Sequence, residues 1–343
     1  MTGSNNKKSD IVAVAKAARV SPSTVSRAFN HPDLVKATTR KRIDAAVRRL
    51  GYIRNRAAQT IHGIRSGTIG LIVPTIDHTI FAELIQSFSD AVAEQGFTIL
   101  LASHDYSLEQ EYALTRKMLE HRVDGIALIG IEHARDTYGL LEQQNIPAIL
   151  LWNVDDAAPI PCVGSDNYLA GRLIGDHVTG LGHRDIAALF PPLGGNDRAA
   201  RRLDGVTDAL IAAGVELPAH RQLETTYSIS DAKRAVLALI AEDRMPTAIL
   251  CGNDVLAWGA LHALARAGLR VPEDVSVTGI GDFKGSRELE PALTTVRIPA
   301  PQIGVRGAEM IVASITGSDP DPANAVLAPD LAVRATSRAV RAG

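Results

Sequence analysis

At 343 residues, 46% hydrophobic and 22% charged, the chain has material for two or three domains with buried cores, and no apolar run approaches the ~18 residues that a bilayer span needs. The polar, basic opening from Met1 to Asp10 does not read as a signal segment, so the chain is expected to remain in the cytoplasm. The net charge of −2 conceals an uneven split: residues 1–62 hold 13 Lys and Arg against 3 Asp and Glu, a net of +10, which leaves −12 for the remainder.

Clustered positive charge is the footprint of a polyanionic partner, whose affinity comes largely from counterion release and falls with salt; a solvated basic face is the plain alternative. The two cysteines, Cys162 and Cys251, stand in apolar, strand-like contexts without metal-ligand spacing and are read as buried thiols.

In chain order, Asp10 can cap a first helix whose apolar face is Ile11, Val12, Val14, Ala15 and Ala18. Arg19 and Val20 form a tight turn. Ser21 caps a second helix with Pro22 at its first position, where the missing N–H costs nothing. Val25 and Phe29 face inward there, and Ser23, Thr24, Ser26 and Arg27 face outward. Thr38 is expected to cap a third helix with Ile43, Ala46, Val47 and Leu50 on its inner stripe, and Gly51 ends it. A helix, a short turn and a second helix carrying small polar residues and an arginine form the helix-turn-helix pattern. A three-helix bundle whose capping residues merely look like base readers fits the same spacing, and the basic charge weighs against it.

The run from Asp10 to Asn30, with Thr39-Arg40 and Leu50-Gly51-Tyr52, resembles the lactose and galactose repressor family, and the similarity continues through the whole chain. The resemblance implies that Pro22, Ser23 and Arg27 read bases, that Thr24, Ser26 and Asn30 touch phosphates, and that Asn55 to Ile61 form a hinge helix. Ile61 stands where the family carries a minor-groove leucine, and any bulky apolar side chain can wedge a base step open. Arg54 replaces the proline common at that point.

After a linker at residues 63–67 the pattern changes to apolar strands alternating with amphipathic helices. Strands are expected at Ile69–Val73, Phe97–Ala102, Gly125–Ile129, Ala148–Trp152, Ile186–Phe190, Ala248–Cys251 and Val275–Ile280. Helices are expected at Phe81–Gln95, Leu108–His121, Ala170–Thr179, Arg198–Ala213, Ser230–Ala241, Val255–Ala267 and Gln302–Ile315. The alternation predicts an α/β fold of parallel, doubly wound sheets, with ligand beyond the carboxyl ends of the strands. The resemblance adds that there are two such sheets, like a periplasmic sugar-binding protein, behind the all-α helix-turn-helix module. The expected division is 1–62 for DNA binding and hinge and 68–343 for effector binding and dimerisation. Within the latter, one subdomain takes about 68–165 and 294–324 and the other about 166–293 and 325–340.

Neither a phosphate-binding Gly-rich loop nor a Gly-x-Ser-x-Gly elbow occurs, and Gly279, Gly281 and Gly285 lack dinucleotide-fingerprint spacing. His177 and His183 have no third ligand at useful spacing. No cofactor, metal or catalytic residue is expected, and the chain is not read as an enzyme.

Positions matching the family's effector contacts fall at the expected strand ends: His78, Ile80 and Phe81, Trp152 and Asn153, Arg202, Tyr227, Asn253, and the Gly281-Asp282 loop. Arg202 lies in Arg202-x-x-Gly205, and its guanidinium can bind a hydroxyl pair or a carboxylate in a fork. Each aromatic could equally be cleft lining or core. Trp152 and Gly281 stand where many sugar-binding members have an aspartate, and loss of acid beside a retained arginine favours an anionic effector. Gly279 to Phe283, Gly51 to Ala57 and Ser165-Asp-Asn167 are similar to the gluconate-repressor branch, so a sugar acid is expected. Taken together, the residues imply a homodimeric repressor of a palindromic, double-stranded operator, switched by a small carbohydrate-type effector and with no membrane partner. A solute-binding protein and an enzyme on a doubly wound scaffold are the rival readings.

Overall fold

Asp10 does open the first helix: its carboxylate accepts from the Ala13 N–H in the computed structural model, which describes residues 10–53, 65–76, 79–242 and 245–340. The chain divides into two compact units, residues 1–66 and 67–343. In the first, α1 (Ile11–Ala18) ends at Arg19, whose left-handed φ of 54° turns the chain into α2 (Pro22–Asn30). Ser21 caps α2 by accepting from the Thr24 N–H, and Pro22 occupies the first turn. Then α3 (Ala37–Leu50) ends at Gly51 with φ 58°. Val14, Ala15, Ala18, Val25, Ala28, Ile43 and Ala46 form this unit's core.

Three expectations are corrected here. Helix α3 starts at Ala37, two residues earlier than a cap at Thr38 would give, behind Lys36 and without a side-chain cap. Val12 is 57% exposed, because α1 is short and its inner stripe is complete with Val14, Ala15 and Ala18. Ala28 rather than Phe29 accompanies Val25 into the core, and Phe29 is half-buried against Tyr52, ring centroids 6.3 Å apart.

The second unit holds two six-stranded sheets. The first is built from β1 (Thr68–Val73), β2 (Thr98–Ser103), β3 (Gly125–Ile129), β4 (Ala148–Trp152), β5 (Cys162–Ser165) and β11 (Ala325–Leu327). It runs β11-β5-β4-β3-β1-β2, all parallel. The second comprises β6 (Ile186–Phe190), β7 (Gln222–Glu224), β8 (Ala248–Cys251), β9 (Ser276–Gly281), β10 (Thr294–Arg297) and β12 (Asp330–Ala332) in the order β12-β10-β9-β8-β6-β7. Only β12 runs antiparallel to its neighbour. The helices between them are α4 (Thr79–Glu94), α5 (Leu108–Glu120), α6 (Arg135–Gln143), α7 (Asn167–Gly180), α8 (Asp197–Ala212), α9 (Ile229–Ala241), α10 (Asp254–Arg266) and α11 (Ala300–Thr316). Central strands are buried on both faces, as covered parallel sheets must be, and this is why their sequences read as continuous apolar runs. No helix among the described residues is long and apolar enough to cross a membrane.

The chain passes between the two lobes three times, and two passes come later than the sequence suggested. Residues 294–297 were expected in the first lobe, yet β10 pairs with β9 in the second, Thr294 opposite Thr278. Residues 325–327 were expected in the second, yet β11 pairs with β5 in the first. Helix α11 packs on α4 and on the first sheet, so the passes fall between β10 and α11 and between β11 and β12. Strands of three or four residues are too short for a periodicity signal, and Thr294 and Thr295 are polar though fully buried.

Candidate functional site

On α2, Pro22, Ser23 and Arg27 are exposed and Thr24, Ser26 and Asn30 are half-buried, so the six described residues expected at DNA share the solvent side of the helix, opposite Val25 and Ala28. The hydroxyls near its start are already engaged with one another: Ser21 Oγ lies 2.8 Å from both Ser23 Oγ and Thr24 Oγ1. Asn30 donates to Ser26 Oγ at 3.4 Å. Arg27 is the one long cationic side chain on α2. Asn55, Ile61 and the rest of the expected hinge helix lie outside the described residues, as do His78 and the side chain of Ile80.

In the second unit the structure gathers most of the expected effector residues. Phe81 and Trp152 are fully buried and meet edge to face, centroids 5.3 Å apart. Trp152 ends β4 with φ +85°, in the left-handed region that a bulky residue rarely occupies, and a side chain at Gly164 would collide with its carbonyl. Its indole Nε1 is buried without a hydrogen-bond partner among the described residues.

Arg202 of α8 is 1% exposed. Its Nε donates to Asn167 Oδ1 at 2.7 Å and its Nη1 to the Gly252 carbonyl at 3.1 Å, while Nη2 is buried without a partner among the described residues. Burial pulls the guanidinium down to about 10, still far above neutrality, so a cation sits among neutral oxygens. Asn167 donates in turn to Asn153 Oδ1 at 2.7 Å, and Asn153 donates to Asp197 Oδ2 at 2.7 Å. The Tyr227 hydroxyl accepts from Asn196, and its ring stacks on Tyr106 with centroids 6.4 Å apart. Burial, above all, raises the Tyr106 hydroxyl, so it stays neutral.

Asn253 caps α10, its Oδ1 accepting from the Leu256 N–H. Asp282 departs furthest from expectation: its carboxylate pairs with Arg297 Nε at 2.9 Å and Arg334 Nη2 at 2.6 Å. Two guanidiniums supplied from later in the chain hold it, and the loop around it is fastened instead by Asp254. That buried carboxylate accepts from the Phe283 N–H, Ser286 and Thr295, at 2.9, 2.6 and 2.5 Å.

Sequence reasoning missed Tyr106, Asn167, Asn196, Asp197 and Arg198. Asn196 was accessible as the cap of α8, from which it accepts the Ala199 N–H. The others gain their roles only through contacts between lobes. Arg198 lies over Phe81, its Cζ 5.9 Å from the ring centroid, and bonds to Asp197. Both cysteines are free and buried. His177 and His183 tie down the C-terminal segment through Ser337 and the Arg338 carbonyl. Among the described residues no cluster of three or more His, Cys, Asp or Glu is suited to a metal ion.

Comparison with known proteins agrees with both units. Residues 10–55 match the family model described as bacterial regulatory proteins, lacI family, and residues 176–337 match the periplasmic binding protein-like domain. The chain is 30% identical to the HTH-type transcriptional repressor PurR of Escherichia fergusonii over 94% of each. It is similar to the lac repressor dimer bound to operator and the anti-inducer ONPF, with a TM-score of 0.84, 28% identity and coverage of 97% of this chain and 100% of that one. It is also similar to the transcription regulator GntR from Chromobacterium violaceum, with a TM-score of 0.75, 30% identity and coverage of 79% and 99%.

Proposed function

The chain belongs to the LacI family of bacterial regulatory proteins, DNA-binding transcriptional repressors with a ligand-binding domain, and from that premise we propose that it acts as a homodimer on a near-palindromic operator and is switched by a sugar acid of the gluconate kind. The observation that carries the effector class is the state of Arg202: a buried guanidinium with two neutral oxygen partners and one Nη without any. A buried cation whose direct partners are all neutral is costly, and a ligand carboxylate supplies both a paired charge and the missing acceptor. Phe81 and Trp152 form a buried apolar pair in the same unit, with Arg198 over the Phe81 ring.

The dimer reading rests on the first lobe's edge. Among the described residues strand β2 pairs on one side only, and Ile99, Leu100 and Leu101 are partly or wholly exposed. An apolar edge strand of this kind calls for a cover, which a second copy provides. Two-fold symmetry then places two α2 helices on matching half-sites. Effector control requires different effector affinities in the DNA-bound and free states.

Calorimetry of the full chain with gluconate, other aldonates and the matching neutral sugars tests the effector class. Binding of the aldonates is expected, and binding of neutral sugars alone would overturn the reading. Selection of bound DNA from a random pool is expected to return a near-palindrome, and recovery of unordered sequence would reject the operator.

A further inference from the structure

Asp197 is the first residue of α8 in the second lobe, yet its carboxylate serves both lobes. Oδ2 accepts from the Ile131 N–H at 2.9 Å and from Asn153 Nδ2 at 2.7 Å, and these two donors follow β3 and β4 of the first lobe. Oδ1 accepts from the Arg198 N–H at 2.8 Å and from Arg198 Nη1 at 3.0 Å. The Asp197 and Arg198 side chains are 11% and 6% exposed. Gly130 leaves room for this arrangement, since a Cβ there would lie 2.7 Å from Arg198 Nη1. Four donors, one of them cationic, thus converge on one carboxylate, which is what an anion-binding seat provides for a ligand.

The occupant here is part of the chain. It neutralises Arg198 and leaves Arg202, at the far end of the Asn153–Asn167 relay, as the cation with an unpartnered Nη. One negative charge on a ligand completes this site. A second would have to compete with Asp197 for the seat it already fills, and like charges disfavour each other there.

We propose that Asp197 is a specificity-determining residue: it takes the seat that a second anionic group of an effector would occupy, and so restricts the chain to monoanionic sugar acids while clasping the lobes with its own carboxylate. This rests on the sugar-acid reading above, and two measurements separate the claims.

The first is calorimetric titration of the full chain and of Asp197→Ala with gluconate and with its diacid counterpart, glucarate. The original chain is expected to favour the monoacid by about tenfold or more, and the variant to shift that ratio toward the diacid by about tenfold or more, a difference equal to one charged hydrogen bond. Asp197→Asn, which keeps the shape and loses the charge, is expected to shift the ratio the same way by less. An unchanged ratio in both variants would overturn the specificity role.

The second needs no effector. The thermal midpoint of Asp197→Ala is expected to fall by several degrees and to recover saturably with formate at constant ionic strength, whereas Asp197→Ala combined with Arg198→Gln recovers nothing. Absence of saturable recovery in the single variant would overturn the seat. Recovery by formate without binding of either acid would support the seat and overturn the sugar-acid reading.

Discussion

Arg202 and Asn167 join α8 to the first residue of α7 through a 2.7 Å bond from Nε to Oδ1, so the cation is aimed by an amide and not by a counter-ion. A group held in this way costs stability and earns its place through binding. Arg202→Gln is therefore expected to lower affinity for an acidic effector by about a hundredfold or more, roughly the loss of one charge-assisted fork. The thermal midpoint of the variant is expected to hold or rise. Calorimetry and thermal unfolding on the same preparation check this, and a fall in both quantities would make the guanidinium a structural group.

Asp254 gives the stability a pH dependence of uncommon sign. Burial outweighs the bonds from Ser286, Thr295 and Phe283 and pushes its carboxyl from 3.8 up to about 6. Between those values the folded chain binds the proton and the unfolded chain does not, so stability rises as pH falls through 6 and the gain is complete below 3.8. The gain amounts to about 3 kcal/mol, and it is lost again as pH rises through 6. Asp254→Asn removes this contribution. Chemical unfolding from pH 4.5 to 7 is expected to show the original chain losing stability relative to the variant as pH rises, and parallel curves would exclude Asp254 as the cause.

Local signals in the sequence were legible where the chemistry is local. Asp10, Ser21 and Pro22 announce their helices because a cap acts within three residues. Central strands such as Gly125–Ile129 were legible because burial on both faces leaves an unbroken apolar run. The surroundings of Asp282 were not legible for the opposite reason: nothing near it in sequence shows that Arg297 and Arg334 will pair with its carboxylate. Asp197 looks like any acidic residue in a first helical turn until folding brings Ile131 and Asn153 to it from the other lobe. Threonines 294 and 295 hide a strand because their hydroxyls find partners far along the chain: that of Thr294 accepts from Ser337 and the Arg334 N–H, and that of Thr295 donates to Asp254.

The glycine of Arg202-x-x-Gly205 has a steric reason. A Cβ at Gly205 would lie 2.1 Å from the Tyr168 carbonyl, and one at Gly171 would lie 2.0 Å from the Arg202 carbonyl. These two glycines let α7 and α8 cross backbone to backbone, which sets the reach of Arg202 to Asn167. Gly171→Ala is expected to force the helices apart and cost about 1–3 kcal/mol or more by overpacking, with effector affinity falling at temperatures where the variant is still folded. Gly139→Ala, at a helical position with open space around it, should be neutral or slightly stabilising. Equal effects of the two substitutions in thermal unfolding would reject the close-crossing argument.

Recognition of DNA by α2 places unequal demands on its outward residues. Ser21, Ser23 and Thr24 share their hydroxyls among themselves, and Pro22 has no side-chain donor, so sequence reading at the start of the helix rests on contact and shape. Arg27 is exposed, carries five donors and stands on the face opposite Val25 and Ala28. If it forks onto a base edge, Arg27→Ala lowers affinity for the selected operator by about 1–3 kcal/mol and affinity for random duplex much less. Arg27→Lys then separates charge from geometry, because lysine keeps the positive charge and loses the planar fork. The expected outcome is that Arg27→Lys retains the salt dependence of binding yet discriminates operator from random DNA no better than Arg27→Ala. Mobility shifts at two salt concentrations measure both quantities. Equal loss of operator and random-duplex affinity in Arg27→Ala would place Arg27 on a phosphate and leave sequence choice to the rest of α2.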